Sequence, residues 1–132
     1  MKTEKINILI VDDDESVRYM LETKFMTAGY SVTTAGNGSH AIQILQSGKT
    51  FNLMVCDLKM QMKNGLELIQ YLKSINSQMP VIILTGFPDR EKIVAAATMG
   101  VRDVMVKPVK HQDLLTMVKN KLGATSGEKT AA

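Results

Sequence analysis

The chain has 132 residues, 45% of them hydrophobic and 22% charged, with a formal net charge of +3, which suits a single soluble domain able to bury roughly 68–70% of its unfolded surface. Its lysines are scattered, without a basic block or interleaved aromatics, so direct nucleic-acid binding is not indicated. The N-terminus, Met1 to Ile10, is neither a signal peptide nor a membrane span, and the one cysteine, Cys56, allows no internal disulfide and fits a reducing cytoplasm.

Strand and helix patterns alternate along the chain. Ile6 to Val11 is expected to be a strand, and Asp14 to cap a helix carrying Val17, Met20, Leu21 and Phe25 until Gly29. Tyr30 to Ala35 is a short β-branched run, hence a second strand. Asn37-Gly38 turns the chain into a helix with Ala41, Ile42 and Leu45 on one face, stopped at Gly48. Leu53 to Cys56 makes the third strand. Asn64-Gly65 precedes a helix with Leu68, Ile69 and Leu72 inward, and Pro80 opens a fourth strand, Val81 to Leu84. Asp89 begins the next helix, ended at Met99 and Gly100, and Val104 to Val106 is the fifth strand. A last helix, about His111 to Leu122, buries Leu114, Leu115, Val118 and Leu122, and Gly123 ends it. The domain is thus expected over residues 5–123, with Ala124 to Ala132 a disordered tail or the start of a linker. Ten methionines are explained by core filling rather than by metal binding. The alternation predicts an α/β fold, a doubly wound sheet of five parallel strands.

Chemistry-bearing residues cluster at the strand ends. Asp12 and Asp13 follow Ile8 to Val11, Asp57 follows Leu53 to Cys56, and the last two apolar runs end in Thr85 and in Lys107-Pro108. In an open parallel sheet, ligands bind beyond the carboxyl ends of the strands. Three acids, a hydroxyl and a lysine there describe a pocket for a divalent cation and a phosphoryl group. Two unit charges 4 Å apart repel by about 4 kcal/mol at an effective dielectric near 20, so the acids need a cation. Helix capping is the plainer explanation of Asp12 and Asp13, but Asp14 and Glu15 are better placed for it.

These segments resemble the receiver domain of bacterial two-component response regulators, including the single-domain chemotaxis type. The resemblance is carried by Ile8-Leu9-Ile10-Val11-Asp12-Asp13-Asp14, by Ala35-Gly36-Asn37-Gly38, and by Val55-Cys56-Asp57-Leu58-Lys59-Met60 with Gly65 downstream. It continues with Ile82-Ile83-Leu84-Thr85-Gly86 and Lys107-Pro108, and spans Ile6 to about Leu122. It implies a flavodoxin-like sheet with strand order 2-1-3-4-5. It also implies that Asp57 is the phosphoacceptor, that Asp13 and Asp57 ligate Mg²⁺ directly, and that Asp12 acts largely through water. The backbone carbonyl of Lys59 would supply a further oxygen. Lys107 would be the counter-ion of the phosphoryl oxygens, aimed inward by a cis Lys107–Pro108 bond, an isomer found in only ~5–6% of X–Pro bonds. Thr85 would hydrogen-bond the phosphoryl group, and Gly86 would leave room for the donor.

The same resemblance implies a phosphoryl donor that is a sensor histidine kinase or phosphotransfer protein, and a downstream protein target or output domain of unknown identity. It implies a cytoplasmic, membrane-free monomer or weak dimer that promotes its own phosphorylation and dephosphorylation without turning over an outside substrate. Three positions depart from the pattern. Val104 replaces the usual aromatic, Val109 the common phenylalanine after Lys-Pro, and Gln61 the common proline after Met60, which would leave that loop more mobile. The output mechanism is therefore expected to differ while the phosphorylation chemistry does not. Lys59 and Phe87, lining the approach for water in this family, predict a comparatively long-lived phosphorylated state. His40 and His111, at helix starts, are read as surface residues. Two rivals remain: a phosphorylation-independent interaction module, and a metal-dependent phosphohydrolase. Lys59 disfavours the second, because a second acid would be needed at its position.

Overall fold

The computed structural model describes residues 5–60, 62 and 64–126. Elements alternate as expected: β1 (Asn7–Val11), α1 (Glu15–Thr27), β2 (Ser31–Ala35), α2 (Gly38–Gln46), β3 (Leu53–Cys56), α3 (Gly65–Ser74), β4 (Val81–Thr85), α4 (Arg90–Thr98), β5 (Asp103–Val106) and α5 (His111–Ser126). The strands form one parallel sheet in the order β2-β1-β3-β4-β5, the flavodoxin-like order implied by the resemblance.

Alternation along each strand divides the core into two layers. Ile8 and Ile10, Leu53 and Val55, and Ile82 and Leu84 pack with Leu21 and Phe25 of α1 and with Leu114 and Val118 of α5. Leu9 and Val11, Met54 and Cys56, and Val81 and Ile83 face the other way, toward Ala41 of α2, Leu68, Ile69 and Leu72 of α3, and Ala96 of α4. Both faces are covered, which is why the inner strands run unbroken apolar from Ile8 to Val11, Leu53 to Cys56 and Val81 to Leu84.

Helix starts are set by side chains that accept otherwise unpaired backbone N–H groups. Asp14 caps α1, Asn37 caps α2 and Asp89 caps α4, while Asn64 and Glu67 form a reciprocal capping box on α3. α1, α2 and α4 run out into Gly29, Gly48 and Gly100, all left-handed, and Asn76 takes that conformation after α3 with φ 57°.

Three expectations are corrected. α5 does not end at Gly123 but continues to Ser126, so residues 124–126 of the expected tail are helical. Gly123 lacks the left-handed φ that a terminating glycine supplies, so it stays within the helical run. Met20, grouped with Val17, Leu21 and Phe25 in the apolar pattern of α1, is exposed, because the buried stripe follows Val17, Leu21 and Phe25 at four-residue spacing. Met26 and Met62 are exposed as well, so core filling does not account for every methionine. Gln61 and the tail beyond Ser126 lie outside the described residues.

Candidate functional site

Asp12 and Asp57 leave adjacent strands at the same height. β1 pairs with β3 through Val11 and Cys56, and the Asp57 N–H donates to the Val11 carbonyl at 3.0 Å. Asp12 continues the parity of Ile8 and Ile10, and Asp57 that of Leu53 and Val55, so both carboxylates project on one side. Both residues are buried, at 2% and 5% exposure.

Lys107 arrives from β5, two strands beyond β3. Its N–H donates to the Thr85 carbonyl at 2.9 Å, extending the β4–β5 ladder, and the Lys107–Pro108 bond is cis. The Lys107 ammonium donates to Asp12 Oδ2 at 2.7 Å and to Asp57 Oδ2 at 2.9 Å. One cation thus bridges two buried carboxylates that would otherwise repel. Burial works to lower the Lys107 pKa, but hydrogen bonds to both acids and their charges together hold it above the ordinary value. For Asp12, burial pushes the carboxyl up, further than the hydrogen bonds from Lys107 and the Asp14 N–H pull it down. Cys56 is raised by burial and by the neighbouring Asp57 and Asp12 charges, which keeps its thiol protonated and inert.

The remaining carboxylate oxygens are held by backbone. Asp12 Oδ1 accepts the Asp14 N–H at 2.9 Å, and Asp57 Oδ1 accepts the Lys59 N–H at 3.1 Å. Asp14 turns away to cap α1, accepting from Ser16 and Val17. Asp13 is exposed, and its carboxylate has no partner among the described residues. Asp12, Asp13, Asp57, Lys59 and Lys107 line one cleft of about 290 Å³, together with Gly86 and Phe87. Thr85 is fully buried beneath it and outside its lining, and its Oγ1 accepts the Phe87 N–H at 3.2 Å. Two larger hollows of about 430 Å³ flank Ser77–Pro80 at the opposite end of the strands, but neither gathers more than one acid.

Several features were not legible in advance. Lys59, expected beside the acids, also places its ammonium 4.1 Å from the centroid of the Phe87 ring, with Phe87 64% exposed at the cleft's edge. Gly65 was visible only as part of a motif. A Cβ there would collide with the Asp57 carbonyl oxygen and lie 2.8 Å from Leu58 Cα, so only glycine lets α3 start against this loop. Arg18 Nη1 donates to the Asp12 carbonyl at 2.8 Å, a contact no sequence signal announced, since a helix-surface arginine looks like any other. His40 and His111 are exposed, as expected.

The donor set fits Mg²⁺. Among the described residues no three acidic, histidine or cysteine groups stand close enough to cage an ion unaided, but Mg²⁺ is commonly held by one or two carboxylates and several waters. Hard carboxylate oxygens opening onto a cleft, with Asp13 otherwise unengaged, meet that requirement. Receiver domains generally bind Mg²⁺ at such an acidic site.

Comparison with known proteins bears on the family and the fold. The family model described as the response regulator receiver domain matches residues 8–119. The chain is 36% identical over 108 residues to the Regulator of RpoS of Escherichia coli strain K12, covering 82% of this chain and 32% of that protein. It is 32% identical over 125 residues to the transcriptional regulatory protein ZraR of Klebsiella oxytoca, covering 95% of this chain and 28% of that protein. The chain therefore spans about a third or less of these curated relatives. The solved CheY-like receiver domain of Methanospirillum hungatei JF-1 superposes with a TM-score of 0.90 at 29% identity, covering 95% of this chain and 99% of the other. The receiver domain of the Francisella response regulator 1452 gives a TM-score of 0.83 at 26% identity, covering 92% and 99%. From the matched segment, the shared fold and the strand-end cluster of acids and lysine, the chain belongs to the response regulator receiver domain family of two-component systems.

Proposed function

We propose that this domain is a phosphoacceptor switch in which Asp57 takes a phosphoryl group from a phosphohistidine of a sensor histidine kinase or phosphotransfer protein. An Asp57 carboxylate oxygen bonds to phosphorus as the histidine N–P bond breaks, and the imidazole leaves with that electron pair. The observation that carries this reading is the Lys107 ammonium bridging Asp12 and Asp57 at the floor of an open cleft. A cation already bound to the acceptor is placed to neutralise the incoming phosphoryl oxygens as a point charge.

Asp12, Asp13, Asp57 and the Lys59 carbonyl would hold Mg²⁺, which when bound offsets charge on the transferring group. The Thr85 hydroxyl accepts the Phe87 N–H and keeps its own proton, which it would donate to a phosphoryl oxygen. The added charge shifts a conformational equilibrium that a downstream protein or output domain reads. Val104 packs into the α2–α4 side of the core as a small, stiff side chain, so that shift proceeds without an aromatic at this position. No helix among the described residues is long and apolar enough to cross a membrane, and we place the domain in the cytoplasm on the strength of its proposed partners. It promotes its own phosphorylation and dephosphorylation and turns over no outside substrate.

Incubating the chain with acetyl phosphate and MgCl₂, followed by intact mass measurement, tests the reading. One added phosphoryl group is expected on the parent protein and none on Asp57→Asn. A parent protein that gains no phosphate is instead a phosphorylation-independent interaction module.

A further inference from the structure

We infer that Arg18 is a positioning residue for the acid cluster, fixing the turn between β1 and α1 so that Asp12 and Asp13 face the cleft; this rests on the phosphoacceptor reading of Asp57. The reasoning begins with backbone directions. In a strand, the N–H and C=O of one residue point to the same neighbour. The Asp12 N–H donates to the Ala35 carbonyl at 3.1 Å, the last rung toward β2, so the Asp12 carbonyl also faces that side. The next rung would come from Asn37, but there the chain leaves the sheet and Asn37 caps α2, accepting the His40 N–H at 2.8 Å. Arg18 Nη1 takes the vacated place, donating to the Asp12 carbonyl at 2.8 Å from the first turns of α1.

Gly36 makes the space for this. A Cβ at position 36 would lie 3.1 Å from Arg18 Nη1 and 3.6 Å from its Cζ, so a side chain there would press on the guanidinium. Asp12 is thus held through its N–H, its carbonyl and, by way of Asp14, its Oδ1. Arg18 makes no ion pair with an acid among the described residues, so it acts on the cluster through the main chain. Asp13 follows directly on the anchored peptide. Loosening that peptide would spread the directions in which both carboxylates present their oxygens.

Calorimetric titration of the full chain with Mg²⁺ tests this on the parent, Arg18→Met, Arg18→Lys, Gly36→Ala and the Arg18→Met/Gly36→Ala pair. Arg18→Met is expected to bind Mg²⁺ roughly 10- to 100-fold more weakly, the loss typical when the partner behind a metal ligand is removed. Arg18→Lys should recover part of it. Gly36→Ala should weaken binding in the parent and add nothing once Arg18 is gone, because both act on one contact. A merely structural arginine would lower the thermal midpoint and leave the Mg²⁺ affinity of the folded protein unchanged. Parent-like affinity in Arg18→Met overturns the inference alone, and if that variant fails to fold, parent-like affinity in Gly36→Ala does so. A parent protein that neither binds Mg²⁺ nor accepts a phosphoryl group overturns the reading of Asp57 and this inference with it.

Discussion

Lys107 and Asp12 are 95 residues apart in the chain, yet the lysine ammonium lies 2.7 Å from Asp12 Oδ2. The same ammonium reaches Asp57, so one side chain from β5 closes a site whose acids come from β1 and β3. Removing it leaves two buried carboxylates facing each other. Lys107→Met should cost about 3 kcal/mol of stability, the low end for breaking a buried pair, since Lys107 is not wholly buried. Added Mg²⁺ should recover more stability for the variant than for the parent, measured by thermal melts with and without the ion. The Lys107 pKa is raised in the folded state, so its contribution is complete below the unfolded lysine value. The gap between parent and variant should therefore persist through neutral pH, closing in alkali as pH rises past the ordinary lysine value of 10.5 and in acid as the carboxyls protonate.

Asp12 has the opposite consequence. Burial raises its pKa, so the folded state holds that proton more tightly than the unfolded chain does. Stability from this group must then fall as pH rises through the interval above its ordinary value of 3.8. Asp12→Asn escapes that loss. In metal-free buffer it should be the more stable protein at neutral pH. Denaturant melts at several pH values should show the advantage shrinking toward acid. Greater stability of the parent at neutral pH would contradict the account.

Gly65 touches the site through backbone alone. Its N–H donates to the Leu58 carbonyl at 3.1 Å, and any Cβ would strike the Asp57 carbonyl. Gly65→Ala should cost about 1–3 kcal/mol, the usual penalty for overpacking, and should slow phosphoryl uptake because the Asp57 segment must shift. Circular dichroism melts and uptake from acetyl phosphate measure the two effects separately.

Phe87 and Lys59 meet face to ammonium across the cleft's edge. Held together, they are expected to restrict the approach of water to the proposed acyl phosphate on Asp57, making the phosphorylated parent long-lived. Phe87→Ala should shorten that lifetime roughly two- to fivefold, the rate equivalent of ~0.5–1 kcal/mol for an exposed cation–π contact. Loss of label is followed after the phosphodonor is removed. A parent protein that sheds its phosphoryl group within seconds in Mg²⁺ would refute the shielding.

The order of elements, the doubly wound class and the residues available for chemistry were all present in the linear pattern. Apolar runs mark strands that sheet pairing must bury, and Asp14, Asn37, Asn64 and Asp89 mark helix starts because they satisfy N–H groups left open there. Where α5 ends was misread, because glycine permits a helix stop without imposing one. Only the tertiary structure could decide how the acids are shared out: Asp12 buried against Lys107, Asp13 free in the cleft, Asp14 turned to its helix. Nor could adjacent letters reveal that Arg18 holds Asp12 by its backbone, that Gly65 is excluded from bearing a side chain, or that Lys59 stacks on Phe87. Each of those depends on distances between atoms from different elements, and such distances exist only after the sheet has set its register.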